Sequence, residues 1–167
     1  MPTLRALRRR INGAIDAEGD LRALAVLRIL LGPIVLLHLE DYFRDAADGI
    51  VYSDRFYLPY ASWYPEASPD VYTALLWAAG ATAIAMSLGI LTRLTTSYTA
   101  AFVGYNIFLS KTHFAHNRAF LLILLVTLAV VPAGRHYSVD ALVGRLRRRR
   151  RGEVAVRTDT PLWPLWL

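Results

Sequence analysis

From Val71 to Leu91 the chain reads VYTALLWAAGATAIAMSLGIL, 21 residues without a charge. About 20 predominantly apolar residues make a helix long enough to cross the hydrocarbon of a bilayer, and here the charges wait just outside, at Asp70 and Arg93. A chain holding such a segment has lipid as its solvent. Leu21–Leu39, LRALAVLRILLGPIVLLHL, is interrupted only by Arg22, Arg28 and His38 and forms the first span in chain order. No small-residue cleavage site follows it and it leads into Glu40 and Asp41, so it reads as a retained span and not as a signal peptide. LTTSYTAAFVGYNIFLS after Arg93 and AFLLILLVTLAVVPAG before Arg135 supply two shorter runs. The expected fold is therefore all-α, an integral membrane protein with four transmembrane helices. Composition agrees, with 55 % apolar residues, 19 % charged residues and a mean hydropathy of +0.34.

The charges orient these spans. The net charge of +6 comes from arginines gathered at both ends of the chain, a pattern of membrane orientation and not of nucleic-acid binding. Arg5, Arg8, Arg9, Arg10 and Arg22 precede or open the first run, Arg93 separates the second from the third, and Arg135, Arg145, Arg147 to Arg151 and Arg157 follow the fourth. Between the first and second runs the chain carries Glu40, Asp41, Asp45, Asp48, Asp54, Glu66 and Asp70 against only Arg44 and Arg55. The positive-inside rule then places both termini in the cytoplasm and this acidic loop outside. VYSDRFYLPYASWYP in the loop suits an interfacial aromatic belt, and Pro59 and Pro65 break any continuous helix there. The organisation expected is a basic cytoplasmic segment over 1–20, a four-helix domain over 21–142, and an arginine-rich tail over 143–167 closing on PLWPLWL. Within it, Arg28 is expected to snorkel to the cytoplasmic interface, Tyr105 and Asn106 to hydrogen-bond between helices, and Ser138 to cap a short interfacial helix whose arginines meet anionic headgroups.

Against 18 arginines the chain has one lysine, Lys111, inside FLSKTHFAHNRAFLLILL. Lysine differs from arginine in that its amine can lose a proton near neutral pH. Only 41 residues separate Arg93 from Arg135, and two crossings consume nearly all of them. Lys111, His113, His116, Asn117 and Arg118 are thus expected at or just below the outer boundary, where polar groups face protein or a wet cavity. A helical stretch would set Lys111 and Arg118 on one face and His113, His116 and Asn117 on another. Desolvation and the like charge of Arg118 would then press the amine toward neutrality, as a general base requires. His113 and His116 lack a nearby carboxylate or third histidine, so no metal is expected. The absence of cysteine removes disulfides, thiolate metal sites and thiol nucleophiles.

SKTHFAHNRAFLLILLVTLAVVPAGRHYSVDAL, Ser110 to Leu142, resembles the signature region of the vitamin K-dependent gamma-carboxylase family and its bacterial relatives with the horizontally transferred transmembrane (HTTM) domain. Lys111 with Thr112, His116 with Asn117, and Ser138, Val139 and Asp140 match the family's Lys-Thr, Asn-His and Ser-Val/Leu-Asp elements, the middle pair in reversed order. LRILLGPIVL and PLWPLWL resemble the family's first helix and the lead-in to a further span, so the chain is similar to an amino-terminal part of that fold. The resemblance implies a carbon–carbon lyase chemistry in which Lys111 deprotonates a reduced vitamin K-type quinone, with Thr112, His113, His116, Asn117 and Arg118 supporting the site and no metal. It also implies partners in membrane lipid and in a further membrane chain or segment. The alternative is a non-enzymatic four-helix membrane subunit of the DoxX-like type, which would tolerate arginine at position 111.

Overall fold

The computed structural model describes residues 18–19, 22–50, 58, 60–61, 63–111, 115–151 and 160–161. They form five α-helices: α1 Arg22–Ala47, α2 Pro69–Leu88, α3 Thr92–Leu109, α4 His116–Val130 and α5 Val139–Arg150. A 3-10 turn at Ala133–Arg135 follows α4, and Glu18–Gly19 pairs antiparallel with Thr160–Pro161. Thr112, His113 and Phe114, and most of the aromatic loop after Ile50, lie outside the described residues.

Local chemistry sets the helix ends. α2 opens on Pro69, whose missing N–H costs nothing in a first turn, with Asp70 complementing the positive end of the helix dipole. It closes on Gly89, at φ 73°, whose N–H returns to the carbonyls of Ala85 and Met86. The three-residue link from Gly89 to Leu91 sends α3 back antiparallel along α2. Ser138 caps α5, accepting the Ala141 N–H at 2.9 Å as its sequence position implies.

Pro33 interrupts α1 from within, because it has no N–H to offer the carbonyl of Ile29. The Ser87 hydroxyl of α2 donates to that carbonyl instead, at 2.8 Å. Gly32 makes the approach possible: a Cβ there would lie 2.5 Å from the Ser87 Cβ and 3.0 Å from the Ala83 carbonyl. A small residue beside a proline thus allows a close approach of α1 and α2, and a backbone defect is repaired across the interface.

α1 packs on α2, α2 on α3 and α3 on α4, whereas α1 and α4 meet over far less of their length. Leu24, Leu31, Val35, Leu39 and Tyr42 on α1 face Tyr72, Leu76, Ala79, Ala83 and Met86 on α2, all buried and spaced three, four or seven residues apart. Leu121, Leu125 and Leu128 carry the same spacing on α4. The opposite faces are apolar too: Leu30, Leu37, Trp77, Ile84, Leu94, Phe120, Ile123 and Val126 are all exposed. Helices apolar all round with exposed outer faces are suited to lipid.

Two of the four expected spans, α1 and α2, are long and apolar enough to cross a bilayer, at mean hydropathies of 1.9 and 1.6 over their best windows. α3 has 18 residues, with Thr92, Thr95, Thr96 and Thr99 buried on it, and α4 has 15 residues, or about 22 Å of helix. The observed architecture is therefore all-helical with two candidate spans. α1 also runs to Ala47, two turns past the expected end at Leu39, and so carries His38, Asp41 and Tyr42 as one continuous helix.

Candidate functional site

Lys111 and Arg118 do not share one continuous helix. α3 ends at Leu109, Ser110 turns extended at φ −144° and ψ 141°, and α4 begins at His116 after Ala115. The face relationship that would set Lys111 and Arg118 on one helical stripe is therefore absent. Leu58 pins the turn: its N–H donates to Ser110 Oγ at 3.0 Å, and its carbonyl accepts from the Lys111 N–H at 2.8 Å. The Lys111 side chain is exposed, with Nζ 5.9 Å from the centroid of the Tyr60 ring, and Tyr60 meets Phe108 edge-on at 6.5 Å. Protein burial does not dry this amine.

His116 and Asn117 are exposed in the first turn of α4, where Asn117 Oδ1 accepts from the Arg118 N–H at 2.9 Å. Arg118 instead reaches α1. Its Nη1 donates to the Tyr42 hydroxyl at 2.7 Å, its guanidinium carbon lies 5.2 Å from the centre of that ring, and His38 meets the ring edge-on at 5.7 Å. Sequence reasoning missed Tyr42 because it lies beyond the apolar run taken as the first span. The signal was the buried-helix spacing that continues from Leu39 to Tyr42.

Polar clasps join α2 and α3 at and below this end. Tyr72 donates to Asn106 Oδ1 at 2.6 Å, Tyr98 to the Leu75 carbonyl at 3.2 Å and Thr99 to Thr82 Oγ1 at 3.1 Å. Asn106 is thus an interhelical residue as expected. Tyr105 bonds the loop instead, donating to the Pro65 carbonyl and accepting from the Ala67 N–H. Tyr64 stacks on Tyr105 at 5.8 Å, and its phenol is pushed above its ordinary value first by burial and then by that neighbour, which keeps it a donor.

A second constellation occupies the other end. Arg28 was expected to snorkel, yet it is wholly buried. Its Nη1 donates to the Ala133 carbonyl at 3.1 Å and its Nη2 to the Tyr137 carbonyl at 2.6 Å. Depth along α1 alone suggested an escape to the interface, but the chain after α4 folds over the guanidinium and supplies acceptors there. Gly89 leaves the room: a Cβ on it would meet Arg28 Nη1 at 2.6 Å and collide with Ser138. Asp140 completes the joint, its carboxylate accepting the N–H groups of Leu91 at 3.0 Å and Thr92 at 3.1 Å, while its own N–H donates to the Gly89 carbonyl. An acid so placed satisfies orphan donors at the α3 N-terminus and complements its dipole. Leu91 and Tyr137, the two non-glycine residues at positive φ among the described residues (45° and 46°), are each held by one of these partners. An open cleft of about 550 Å³ runs beside the joint, lined by Thr92, Arg93, Pro132, Gly134 and Asp140 among others.

Both constellations fall within the part of the chain that matches a known family, since residues 17–167 match the HTTM domain. The chain belongs to the HTTM family. No curated protein and no solved structure matches it. Membership makes the apolar outer faces of α1 and α2 those of a membrane-associated domain, and the family's association with gamma-carboxylation is a general one. Within this HTTM chain, the Ser138-Val139-Asp140 element is structural, serving as helix cap and joint to α3. The Lys111 turn is the part with free chemistry: an exposed amine beside exposed aromatic rings, at the same end as a cation held by a tyrosine.

Proposed function

We propose that this HTTM protein takes up a reduced, lipid-soluble quinone at the end of the bundle bearing Lys111, with the Lys111 amine as the general base. The observation that carries the reading is the turn itself, where backbone bonds to Leu58 fix Lys111 beside the exposed faces of Tyr60 and Phe108. A planar aromatic ring partitioning from lipid fits such a surface, and its arrival displaces water from the amine, which favours the neutral, basic form. Nζ then accepts the phenolic proton of the quinol. Arg118, held by Tyr42, supplies a fixed positive charge at the same end of the bundle. In a carboxylase-like reaction oxygen would then oxidise the deprotonated quinol to a strong base, and that base would remove the proton from the carbon to which carbon dioxide adds. Thr112 and His113, with His116 and Asn117, are the supporting groups. We place this end outside the cytoplasm and both termini within it, following the arginine distribution.

Lys111→Arg tests the assignment, because guanidinium stays protonated to beyond about pH 12 while keeping the charge. Reduced-quinone oxidation and carbon dioxide incorporation, followed against pH in membranes, should fall by about 10²–10⁴ with expression unchanged. An arginine variant with full activity removes Lys111 from the mechanism. The exposure of Lys111 favours a second reading, a non-enzymatic membrane subunit of the DoxX-like type that works with a further membrane chain. That reading predicts no quinone-linked turnover and indifference to arginine at 111.

A further inference from the structure

α5 turns two unlike faces to its surroundings. Asp140, Ala141 and Gly144 lie on the side that meets the bundle: Asp140 bonds the start of α3, and Ala141 and Gly144 are half-buried. Val139, Leu142, Val143 and Leu146 fall, at 3.6 residues per turn, within an arc of about 100° on another side. All four are exposed, at 38 %, 56 %, 38 % and 51 %. Arg147 and Arg149 flank the arc on either edge, Arg150 closes it at its C-terminal end, and Arg145, Arg148 and Arg151 bring the count to six arginines in seven residues. A short helix with an apolar arc between cationic edges has the composition of a segment lying in a membrane interface. Its position agrees, because it is tied to the end of the bundle where α2 turns into α3.

We propose that α5 is an acidic-lipid-binding helix, with Val139, Leu142, Val143 and Leu146 seated among the outermost acyl carbons and the arginines on anionic headgroup phosphates. Charge complementarity selects this occupant: a second copy would bring a like-charged arginine run against this one, whereas an acidic leaflet neutralises it. The joint of Arg28, Gly89 and Asp140 gives the helix a fixed pitch on the bundle, so lipid composition at this face bears directly on the packing of α1, α3 and the turn after α4. The inference rests on membrane placement of α1 and α2 and is independent of any role for Lys111.

The chain lacks cysteine, so single labels have no background. Leu142→Cys and Arg148→Cys, each carrying an environment-sensitive fluorophore, are placed in nanodiscs of phosphatidylcholine alone and of three parts phosphatidylcholine to one part phosphatidylglycerol. In the acidic discs the label at 142 should be quenched by lipid-borne nitroxide several-fold more than the label at 148, and shielded from iodide. Replacing Arg147, Arg149, Arg150 and Arg151 by glutamine should abolish that difference, since each arginine strengthens attraction to an anionic surface about fivefold. Equal iodide access at 142 in both discs overturns the proposal, as does shielding in both that coincides with disulfide formation between copies of the unlabelled Leu142→Cys protein, or shielding that needs added RNA. A chain that does not enter the discs at all overturns the membrane placement with it, whereas an accessible 142 in an incorporated chain overturns this proposal alone.

Discussion

Arg28 is the largest wholly buried side chain of the described residues, and the charge it carries is answered by two backbone carbonyls more than a hundred residues away in the chain. Hydrogen bonds from a charged donor are worth more than neutral ones, and the carbonyl of the buried Ala133 is left without this donor once it is gone. Arg28→Met should therefore destabilise the protein by about 2–4 kcal/mol, read as a fall of roughly 5–15 °C in the unfolding midpoint in detergent. Arg93→Met, at an exposed position, should change it little. Equal midpoints for the two variants would mean that Arg28 is not the keystone of this end. Its role was not legible beforehand, because a sequence shows how far a residue lies along its own helix and not which distant loop folds over it. Asn106 and Ser138 were legible, since an amide in an apolar run seeks a partner and a serine before a helix caps it. Lys111 was legible as an odd amine, but its setting was not: an extended Ser110 and an extended Ala115, which no hydrophobic spacing announces, separate it from the helix that carries Arg118.

At the scale of elements, the five helices follow from apolar runs and their punctuation by Pro69, Gly89 and Ser138. What spacing alone does not reveal is how α1 tolerates Pro33. The bond from Ser87 to the Ile29 carbonyl makes a specific, reciprocal prediction. Ser87→Ala should cost about 1–3 kcal/mol by leaving that carbonyl unpaired in apolar surroundings. Pro33→Ala restores the missing backbone donor to α1, so the double variant should regain most of the loss. Thermal unfolding of the four proteins as a double-mutant cycle checks it. Additive costs, with no rescue, would show that Ser87 acts by packing and not by repairing the helix. The boundary of α1 teaches a related lesson: charge ended the apolar run at Leu39, yet the helix continues because Tyr42 keeps the buried spacing and Glu40 pairs with Arg44 at 2.9 Å one turn on.

For the whole molecule, the contacts sort the chain into two ends. Arg28, Gly89, Asp140 and the arginines of α5 gather at one, and Leu58, Tyr42, Arg118 and the Lys111 turn belong to the other. Lipid-suited helices connect them, two of full spanning length, and α3 and α4 are the shorter pair on which the four-span reading depends. If α3 and α4 both cross, position 117 lies across the membrane from positions 93 and 148, and the Lys111 turn faces outward where a quinol and its proton can be exchanged. Single cysteines at Arg93, Asn117 and Arg148, all exposed, separate these cases in sealed cells with a membrane-impermeant maleimide. We predict labelling at 117 from outside, and at 93 and 148 only after permeabilisation. Labelling of all three from one side would leave α3 and α4 as a hairpin that does not cross, and would contradict the placement of Lys111 at the outer surface.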